Sequence, residues 1–317
     1  MKMRHYQPKR YKLLEVLGKG KFGVVTKALD KNTELSVAIK KIDKVYSVIS
    51  PGVYELDNEQ EILHEVESLS AVDAICQDRQ RPQHVLCKTD FAEDQHAFYI
   101  ITEFLDQYIT LEQFIVQLKT FSLSDQQMIQ LCRQLLQGLQ DMHSVHVAHR
   151  DIKPSNIMIY SHRDHLNVKF VDFGLSCHED QCLEKRHAGS PIYAAPEIFF
   201  AIEDPESPDT LQRWIKTDEW SLGIVLLEII GHMHDQGFME LVAKIRNVDL
   251  DQYADAIEGL INLHTQLTIG VYHTGITNND LTIYYQLYHV SRPLREFVQD
   301  FVKPLLTGNP NDRQLQI

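Results

Sequence analysis

The sequence is poor in features that mark membrane-spanning, secreted or nucleic-acid-binding proteins. Its longest apolar run, around residues 222–230, covers about ten residues and includes Glu228, whereas a helix that spans a bilayer needs about 20. The opening residues MKMRH are followed by no apolar stretch, so they do not predict a secretory signal. Acidic residues number 44 against 31 lysines and arginines, a formal net charge of −13. That charge would repel nucleic acid and anionic membranes, so neither is expected as a partner.

Cysteine is also scarce, and its pattern is uninformative for metal binding. The chain has five cysteines, at positions 76, 87, 132, 177 and 182, an odd number without the paired spacing of a zinc site. This usage predicts reduced thiols in an intracellular protein, cytoplasmic or nuclear. His143, His146 and His149 recur every three residues, but no fourth ligand is evident and His149 belongs to the segment described next. We therefore predict no histidine or cysteine metal site.

Two short polar segments contain the groups that point to a chemistry. The first, HRDIKPSN at positions 149–156, places Asp151, Lys153 and Asn156 close together, and the second, DFG, adds Asp172. A hydroxyl that attacks a phosphoryl group needs a carboxylate to orient it, a cation to neutralise developing charge, and oxygen ligands for Mg²⁺. The two segments supply all of these groups, which favours phosphoryl transfer.

HRDIKPSN followed by DFG resembles the catalytic loop and the metal-binding turn of eukaryotic protein kinases, and Lys153 matches the serine/threonine class. The resemblance implies Asp151 as the catalytic base, Lys153 on the γ-phosphate of ATP, and Asn156 and Asp172 as ligands of Mg²⁺. It implies structural support by four further residues, His149, Arg150, Asp218 and Arg313. ATP and Mg²⁺ are thus the expected cofactors, and serine or threonine residues of proteins are the expected substrates.

Segments upstream resemble the family's nucleotide-binding lobe. GKGKFGVV at 18–25 joins two predicted strands with no helix after it, which favours a kinase glycine loop over a dinucleotide-binding turn. TEFL at 102–105 resembles the gatekeeper and the hinge, whose backbone would bind the adenine edge. The resemblance implies the following ATP-binding residues: Leu17, Gly18, Gly20, Gly23, Val25, Ala38, Lys40, Thr102, Glu103, Leu105 and Met158.

The segment VAIK at 37–40 adds a second cation. Its Lys40 would reach the α- and β-phosphates of ATP and would need an anionic partner on the next helix. Helical spacing of apolar residues predicts that helix over residues 58–69. The resemblance implies Glu65 as the partner, with Glu61 one turn earlier as the alternative. Lys40 and Glu65 join Asp151 and Lys153 as the expected catalytic residues.

GSPIYAAPE at 189–197 resembles the end of the family's activation segment, where protein substrates dock. The resemblance implies that Ser190 contacts Asp151 and Lys153, and that Glu197 pairs with Arg313.

The middle of this segment departs from the family's pattern. Residues 177–188 contain no serine, threonine or tyrosine, but they do contain Glu179, Asp180 and Glu184. We hypothesise that a fixed carboxylate replaces a phosphate on Arg150, or that the loop needs no ordering, so that the enzyme is active without activation-loop phosphorylation. The cysteines at 177 and 182 are expected as exposed thiols, with a redox switch as the alternative.

The predicted fold is α+β and bilobal, with a β-rich N-lobe that has one main helix and a mostly helical C-lobe. The boundaries are a mobile basic arm at 1–10 and one kinase domain at 11–317, divided into an N-lobe at 11–103, a hinge at 103–108 and a C-lobe at 109–317. Within it we expect strands at 11–17, 24–29, 35–41, 84–90 and 97–103, a helix that begins after Ser124, a loop insertion at 199–216 and helical structure at 239–290 and 294–306.

Two rival functions stay open. A pseudokinase that acts as a scaffold should lack Lys40, Asp151, Asn156 or Asp172, and all four are present. A kinase of small molecules or lipids would not need the segment SPIYAAPE, which resembles the protein-docking segment. An unidentified activator or regulatory subunit is a further expected partner.

Overall fold

The structure is a computed structural model that describes residues 4–20, 23–50, 53–77, 83–118, 121–162, 165–179, 182, 189–190, 192–195, 197–198, 211–231, 275–276 and 278–316. Its N-lobe is built on a six-stranded sheet in the order β1-β7-β8-β4-β3-β2. The strands are β1 (Arg4–His5), β2 (Tyr11–Gly20), β3 (Gly23–Asp30), β4 (Leu35–Asp43), β7 (Lys88–Glu93) and β8 (Ala97–Glu103). The predicted meander of three strands is therefore confirmed, and the bilobal α+β fold is present.

We predicted a mobile arm at residues 1–10, but residues 4–10, the part of this segment that the structure describes, lie against the N-lobe sheet. β1 pairs in parallel with β7, and the Tyr6 ring stacks on Tyr99 with 3.6 Å between centroids. Arg10 donates to Asp30 at 2.6 Å and to Asp90 at 3.1 Å. This hydrogen bond from Arg10 is the main reason why the pKa of Asp30 is lowered. The prediction failed because the partners of this short polar stretch are distant in sequence.

One helix and one unpredicted hairpin complete the N-lobe. The hairpin consists of β5 (Tyr46–Ser50) and β6 (Val53–Leu56), which pair with each other in a separate sheet. α1 (Glu59–Cys76) follows and extends beyond the predicted end at residue 69, because apolar residues at helical spacing continue to Ile75. Its buried face, including Ile62, Val66 and Leu69, packs beneath the sheet.

The C-lobe begins with a small sheet and two capped helices. The described helices are α2 (Leu111–Gln117), α3 (Asp125–Ser144), α4 (Leu211–Ile230), α5 (Asn278–Leu287) and α6 (Arg292–Phe297). Ser124 caps α3 in a capping box with Gln127, as the sequence predicted. The remaining strands are β9 (Ile109–Thr110), β10 (Val147–Ala148), β11 (Ile157–His162), β12 (His165–Phe170) and β13 (Cys177–His178).

Two C-lobe predictions need correction. The expected loop at 199–216 is wrong for its last part, because α4 already begins at Leu211; residues 199–210 lie outside the described residues. Trp214, in the first turn of α4, is 1% exposed and packs in the hydrophobic core, which stabilises this N-terminal part of the helix. The predicted helix at 294–306 is divided into α6, a π-helical turn at Val298–Val302 and a 3₁₀ turn at Lys303–Leu306. Of the region 239–290, the structure describes residues 275–276 and 278–290.

Four of the five cysteines form disulfide bonds, so the prediction of reduced thiols is wrong for them. The bonds join Cys76 to Cys87 and Cys177 to Cys182, whose Cα atoms are 5.9 and 5.1 Å apart, and leave Cys132 as a free thiol. Cys177 and Cys182 are buried, which also corrects the expectation of exposed thiols. Burial raises the pKa of the Cys132 thiol to about 12. The disulfides remove the cysteine argument for an intracellular location.

Among the residues that the structure describes, none of the helices combines the length and the apolar character that a bilayer crossing requires.

Candidate active site

A cavity of about 570 Å³ lies between the N-lobe sheet and the β11–β12 hairpin. It is lined by every residue predicted to bind ATP except Gly18, which pairs with Val25 in the β2–β3 hairpin. The sequence analysis assigned no nucleotide-binding role to several other lining residues, including Leu69, Leu86, Ile100, Tyr108 and Phe173. These side chains come from five different elements or loops, so no local sequence pattern joins them.

The glycines of the β2–β3 hairpin have two different roles. Gly23 has φ +128, and a Cβ there would lie 2.2 Å from the carbonyl oxygen of Lys41, so the fold itself requires glycine. A Cβ at Gly18 or Gly20 would meet nothing within 4 Å. The open space beside these two glycines is where a phosphate chain could approach the backbone.

Lys40 and Glu65 form a buried ion pair at the back of the cavity. The ammonium of Lys40 lies 2.7 and 2.9 Å from the two carboxylate oxygens of Glu65, and 3.5 Å from Oδ1 of Asp172. Burial would lower the pKa of Lys40, but the two carboxylates outweigh burial and raise it. Burial raises the pKa of Glu65 against the opposing effect of Lys40. The contacts favour Glu65 over Glu61 as the partner of the strand lysine.

The hinge begins where β8 ends, and the side chain of Glu103 anchors it. Its Oε1 accepts hydrogen bonds from the backbone N–H of Cys87 at 2.9 Å and from Lys169 at 2.7 Å. Thr102, the residue before it, is 8% exposed and faces the cavity. Neither Cys87 nor Lys169 carries a signal in the sequence that would link it to the hinge.

The catalytic-loop residues converge on the carboxylate of Asp151. Its Oδ1 accepts a hydrogen bond from Ser190 at 2.9 Å, and its Oδ2 accepts from Asn156 at 2.8 Å. Lys153 lies 2.8 Å from Oδ2 and donates to the hydroxyl of Ser190 at 2.7 Å. The structure therefore brings Ser190 to the two residues that the resemblance implied, over a sequence distance of nearly forty residues.

Two oxygen-bearing side chains face the same end of the cavity. Asp172 has a left-handed backbone with φ 62, and its side chain is 42% exposed, so the carboxylate lies outside the core. Asn156 donates from Nδ2 to both the backbone and the carboxylate oxygen of Asp151, so its amide oxygen is the atom available to a cation. An amide oxygen and a carboxylate are suitable ligands for Mg²⁺, so this donor set fits the metal that the resemblance implies.

Asp218 holds the backbone of the catalytic loop from below. Its carboxylate accepts from the N–H groups of His149 at 2.7 Å and Arg150 at 2.8 Å, and from Nε2 of His143 at 3.1 Å. Arg150 has φ 67, a left-handed backbone that these bonds help to hold. The His149 ring donates to the carbonyl of Val171 at 3.0 Å. His143, which the spacing of histidines had raised as a metal ligand, is thus a third donor to Asp218.

Arg150 and Cys182, which belongs to the activation segment, both contact the side chain of Trp214. The guanidinium of Arg150 lies 3.9 Å from the ring centroid of Trp214, and the Trp214 indole donates to the carbonyl of Cys182 at 3.1 Å. Glu179, one of the carboxylates proposed to replace a phosphate, lies 3.6 Å from His146 and 3.8 Å from His178. The other two, at positions 180 and 184, lie outside the described residues.

The predicted pair between Glu197 and Arg313 is present. The guanidinium forms a two-pronged contact with the carboxylate, and one of its bonds, from Nη2 to Oε2, is 2.8 Å long. Arg313 also donates to the carbonyls of Lys216 at 2.9 Å and Thr307 at 3.0 Å. The end of the activation segment is therefore tied to the last described part of the chain.

Comparison with known proteins agrees with this geometry. The sequence matches the protein kinase domain family over residues 11–314, so the chain belongs to that family. It is 29% identical to calcium-dependent protein kinase 4 of Plasmodium berghei over an alignment of 224 residues, and this alignment covers 70% of this chain and 37% of that protein. It is 31% identical over 226 residues to mitogen-activated protein kinase HOG1 of Hortaea werneckii, covering 70% of this chain and 53% of the relative.

A further relative matches almost the whole chain. The serine/threonine-protein kinase RAD53 of Saccharomyces cerevisiae is 26% identical over 310 residues, which cover 94% of this chain and 31% of that protein. The chain thus spans between about a third and a half of the length of these three curated relatives.

Proposed function

We propose that this chain transfers the γ-phosphate of ATP to serine or threonine hydroxyls of proteins. The observation that carries the proposal is the group of polar side chains around Asp151, where a carboxylate, an ammonium and a hydroxyl lie within 3 Å of one another, next to Asn156, which lines the cavity. The names of the relatives, which include serine/threonine-protein kinases, support the same substrate class.

Asp151 is the group that can orient the attacking hydroxyl and accept its proton late in the reaction. Its side chain is 10% exposed, so the carboxylate is largely sheltered from solvent. Lys153 stands beside it and can stabilise the negative charge that moves on to the transferred phosphoryl oxygens. Ser190 bridges the two, which keeps the lysine and the carboxylate in one fixed arrangement before a substrate arrives.

ATP and a divalent cation fit the remaining groups. Lys40, fixed by Glu65, would contact the α- and β-phosphates, while Ala38, Thr102 and the hinge, which line the cavity, would form the wall for adenine. Asp172 and the amide oxygen of Asn156 would hold Mg²⁺, which, when bound, neutralises charge on the β- and γ-phosphates. The side chains already converge on one region, so little reorganisation is needed.

The proposal includes activity without phosphorylation of residues 177–188. These residues contain no hydroxyl side chain, and the Cys177–Cys182 disulfide and the hydrogen bond from the Trp214 indole to Cys182 anchor part of the segment instead. An activating partner is compatible with this arrangement. For location we keep the proposal of an intracellular protein, cytoplasmic or nuclear.

The test is transfer of labelled γ-phosphate from ATP and Mg²⁺ to casein, with wild type compared with Asp151→Asn. Asparagine keeps the size and hydrogen-bonding shape of the side chain but cannot take the proton, so the rate should fall about 10²-fold or more while ATP binding is retained. Phosphoamino-acid analysis should give serine and threonine.

Other outcomes would point to a different class. Binding of ATP without transfer by wild type would favour the scaffold function. Transfer to small alcohols but not to casein would favour a small-molecule kinase. Loss of all transfer after phosphatase treatment would contradict activity without phosphorylation.

A further inference from the structure

Lys169 is a buried lysine on β12, three residues before Asp172, and no sequence motif singles it out. The residue is 6% exposed, although lysine is rarely buried unless its charge is paired. In the β11–β12 hairpin it lies directly opposite Met158, which lines the cavity. Opposite residues of an antiparallel pair share one face, so Lys169 extends from the hairpin toward the underside of the nucleotide site.

Two acceptors from different segments meet its ammonium. Nζ of Lys169 is 2.7 Å from Oε1 of Glu103 and 3.1 Å from the carbonyl oxygen of Val85. Glu103 is the first hinge residue, and Val85 belongs to the segment that leads into β7. The ammonium of Lys169 therefore connects the β11–β12 hairpin, which ends two residues before Asp172, to Glu103 at the start of the hinge.

The same oxygen of Glu103 is held from a second side. The backbone N–H of Cys87 donates to Oε1 at 2.9 Å, and the backbone N–H of Glu103 donates to the carbonyl of Cys87 at 3.0 Å. The 84–87 segment is itself bonded to β12, through Leu86 N–H to the carbonyl of Phe170 at 2.9 Å and Phe170 N–H to the carbonyl of His84 at 2.9 Å. The position of the hinge is thus fixed relative to β12 by a closed ring of hydrogen bonds.

Lys169 does not line the cavity, whereas Glu103 and the two residues after it do. We propose that Lys169 is a positioning residue for nucleotide binding: it fixes the hinge backbone in register with β12, so that adenine meets a preformed edge. This inference rests on the proposed use of ATP and goes beyond it by assigning a role to a residue that cannot touch the nucleotide. Preformed contacts lower the cost of ordering the site when the ligand binds.

A second ion pair provides a matched control. Lys44 and Glu93 are also 2.7 Å apart, with side chains 10% and 32% exposed, against 7% and 32% for Lys169 and Glu103. Lys44 follows β4 and Glu93 ends β7, at the end of the sheet opposite to the hinge. Lys44→Met therefore removes a pair of similar burial and length without disturbing the nucleotide site.

The experiment measures ADP binding in the presence of Mg²⁺ by calorimetry, KM for ATP, kcat and the melting temperature for Lys169→Met, Lys44→Met and wild type. We expect Lys169→Met to raise Kd for ADP and KM for ATP about tenfold, the size expected for loss of a charge-assisted hydrogen bond. Its kcat should stay within about threefold of wild type, because Asp151 and Lys153 are untouched. Lys44→Met should lower the melting temperature by a similar amount but leave Kd and KM unchanged.

Equal Kd and KM values in Lys169→Met and wild type would overturn the inference, as would equal weakening of nucleotide binding by Lys44→Met.

Glu103→Gln serves as the second variant if Lys169→Met does not fold, because glutamine keeps an oxygen acceptor while removing the charge. It should weaken ADP binding about threefold, and an unchanged Kd would also overturn the inference. If wild type binds ADP but transfers no phosphate, the proposed activity fails while the comparison of Kd values still decides the role of Lys169. If wild type binds no adenine nucleotide, both are overturned.

Discussion

The two lobes each contain a buried ion pair that the sequence predicted, and the pairs differ in what surrounds the cation. In the N-lobe, Lys40 contacts Glu65 and, more distantly, Asp172, and it faces the cavity. In the C-lobe, Arg313 contacts Glu197 and three backbone carbonyls, and its guanidinium lies 4.9 Å from the ring centroid of Trp220. The arginine side chain is fully buried, whereas the lysine side chain is 16% exposed.

This difference separates an ion pair that can act on a ligand from one that holds the fold. The charge of Arg313 is directed at carbonyls and a carboxylate that belong to the protein, so its stabilising energy goes to the folded state. Lys40 lines the cavity, whereas Arg313 does not, so part of the field of the lysine can act on an anionic ligand bound there. We expect replacement of Lys40 to reduce activity far more than stability, and replacement of Arg313 to do the reverse.

Lys40→Met should give the largest effect of this comparison. We expect the rate of phosphate transfer to fall about 10²- to 10³-fold, because a preorganised cation is lost from the phosphate site. Steady-state kinetics with ATP and casein would measure it. Lys41→Met is the control, since Lys41 is 47% exposed and pairs only with the neighbouring Asp43 among the described residues. Retention of activity within tenfold of wild type by Lys40→Met would contradict the assigned role.

Arg313→Met should be the converse case. It leaves Glu197, whose side chain is 16% exposed, without the guanidinium, which costs about 3–5 kcal/mol of unfolding free energy, measured by urea titration. The matched control is Arg292→Met on α6, which breaks an ion pair whose side chains are 88% and 63% exposed and should change stability by about 0.5 kcal/mol or less. A stability loss for Arg313→Met as small as that of the control would remove the distinction between the two pairs.

The proposed catalytic groups could be selected from the sequence because each belongs to a short contiguous motif. Asp151, Lys153 and Asn156 are separated by a few residues, so local backbone geometry brings them together. The capping box at Ser124 is local in the same sense. Ser190 and Arg313 are distant from their partners, and only the family resemblance, not spacing, could place them.

Contacts that lack both a local pattern and a family motif could not be predicted. Lys169 meets Glu103 across 66 positions, and Cys76 meets Cys87 because the chain turns back after α1. Composition even favoured the wrong result for the cysteines, since an odd number suggests free thiols but does not exclude two bonds and one buried thiol. The prediction for the N-terminal residues failed for the same reason. Arg10 pairs with Asp30 and Asp90, which are distant in sequence, and no local pattern distinguishes such a docked segment from a mobile basic arm.

The N-terminal pair of Arg10 and Asp30 extends the comparison to a third environment, at the edge of the fold. Arg10 is 24% exposed, so the pair is neither open to a ligand site nor fully enclosed. Asp30→Asn should lower the free energy of unfolding by about 1 kcal/mol or less at pH 7 and leave transfer activity unchanged.

The hydrogen bond from Arg10 lowers the pKa of Asp30, so the ionised form of Asp30 contributes stability above the ordinary carboxyl pKa of about 4. That contribution is lost as the pH falls through the lowered pKa, so the stability gap between wild type and Asp30→Asn should shrink below about pH 4. Urea titrations at pH 7, 4 and 3 would measure it, and a gap that stays constant over this range would show that the charge of Asp30 does not hold the N-terminal segment.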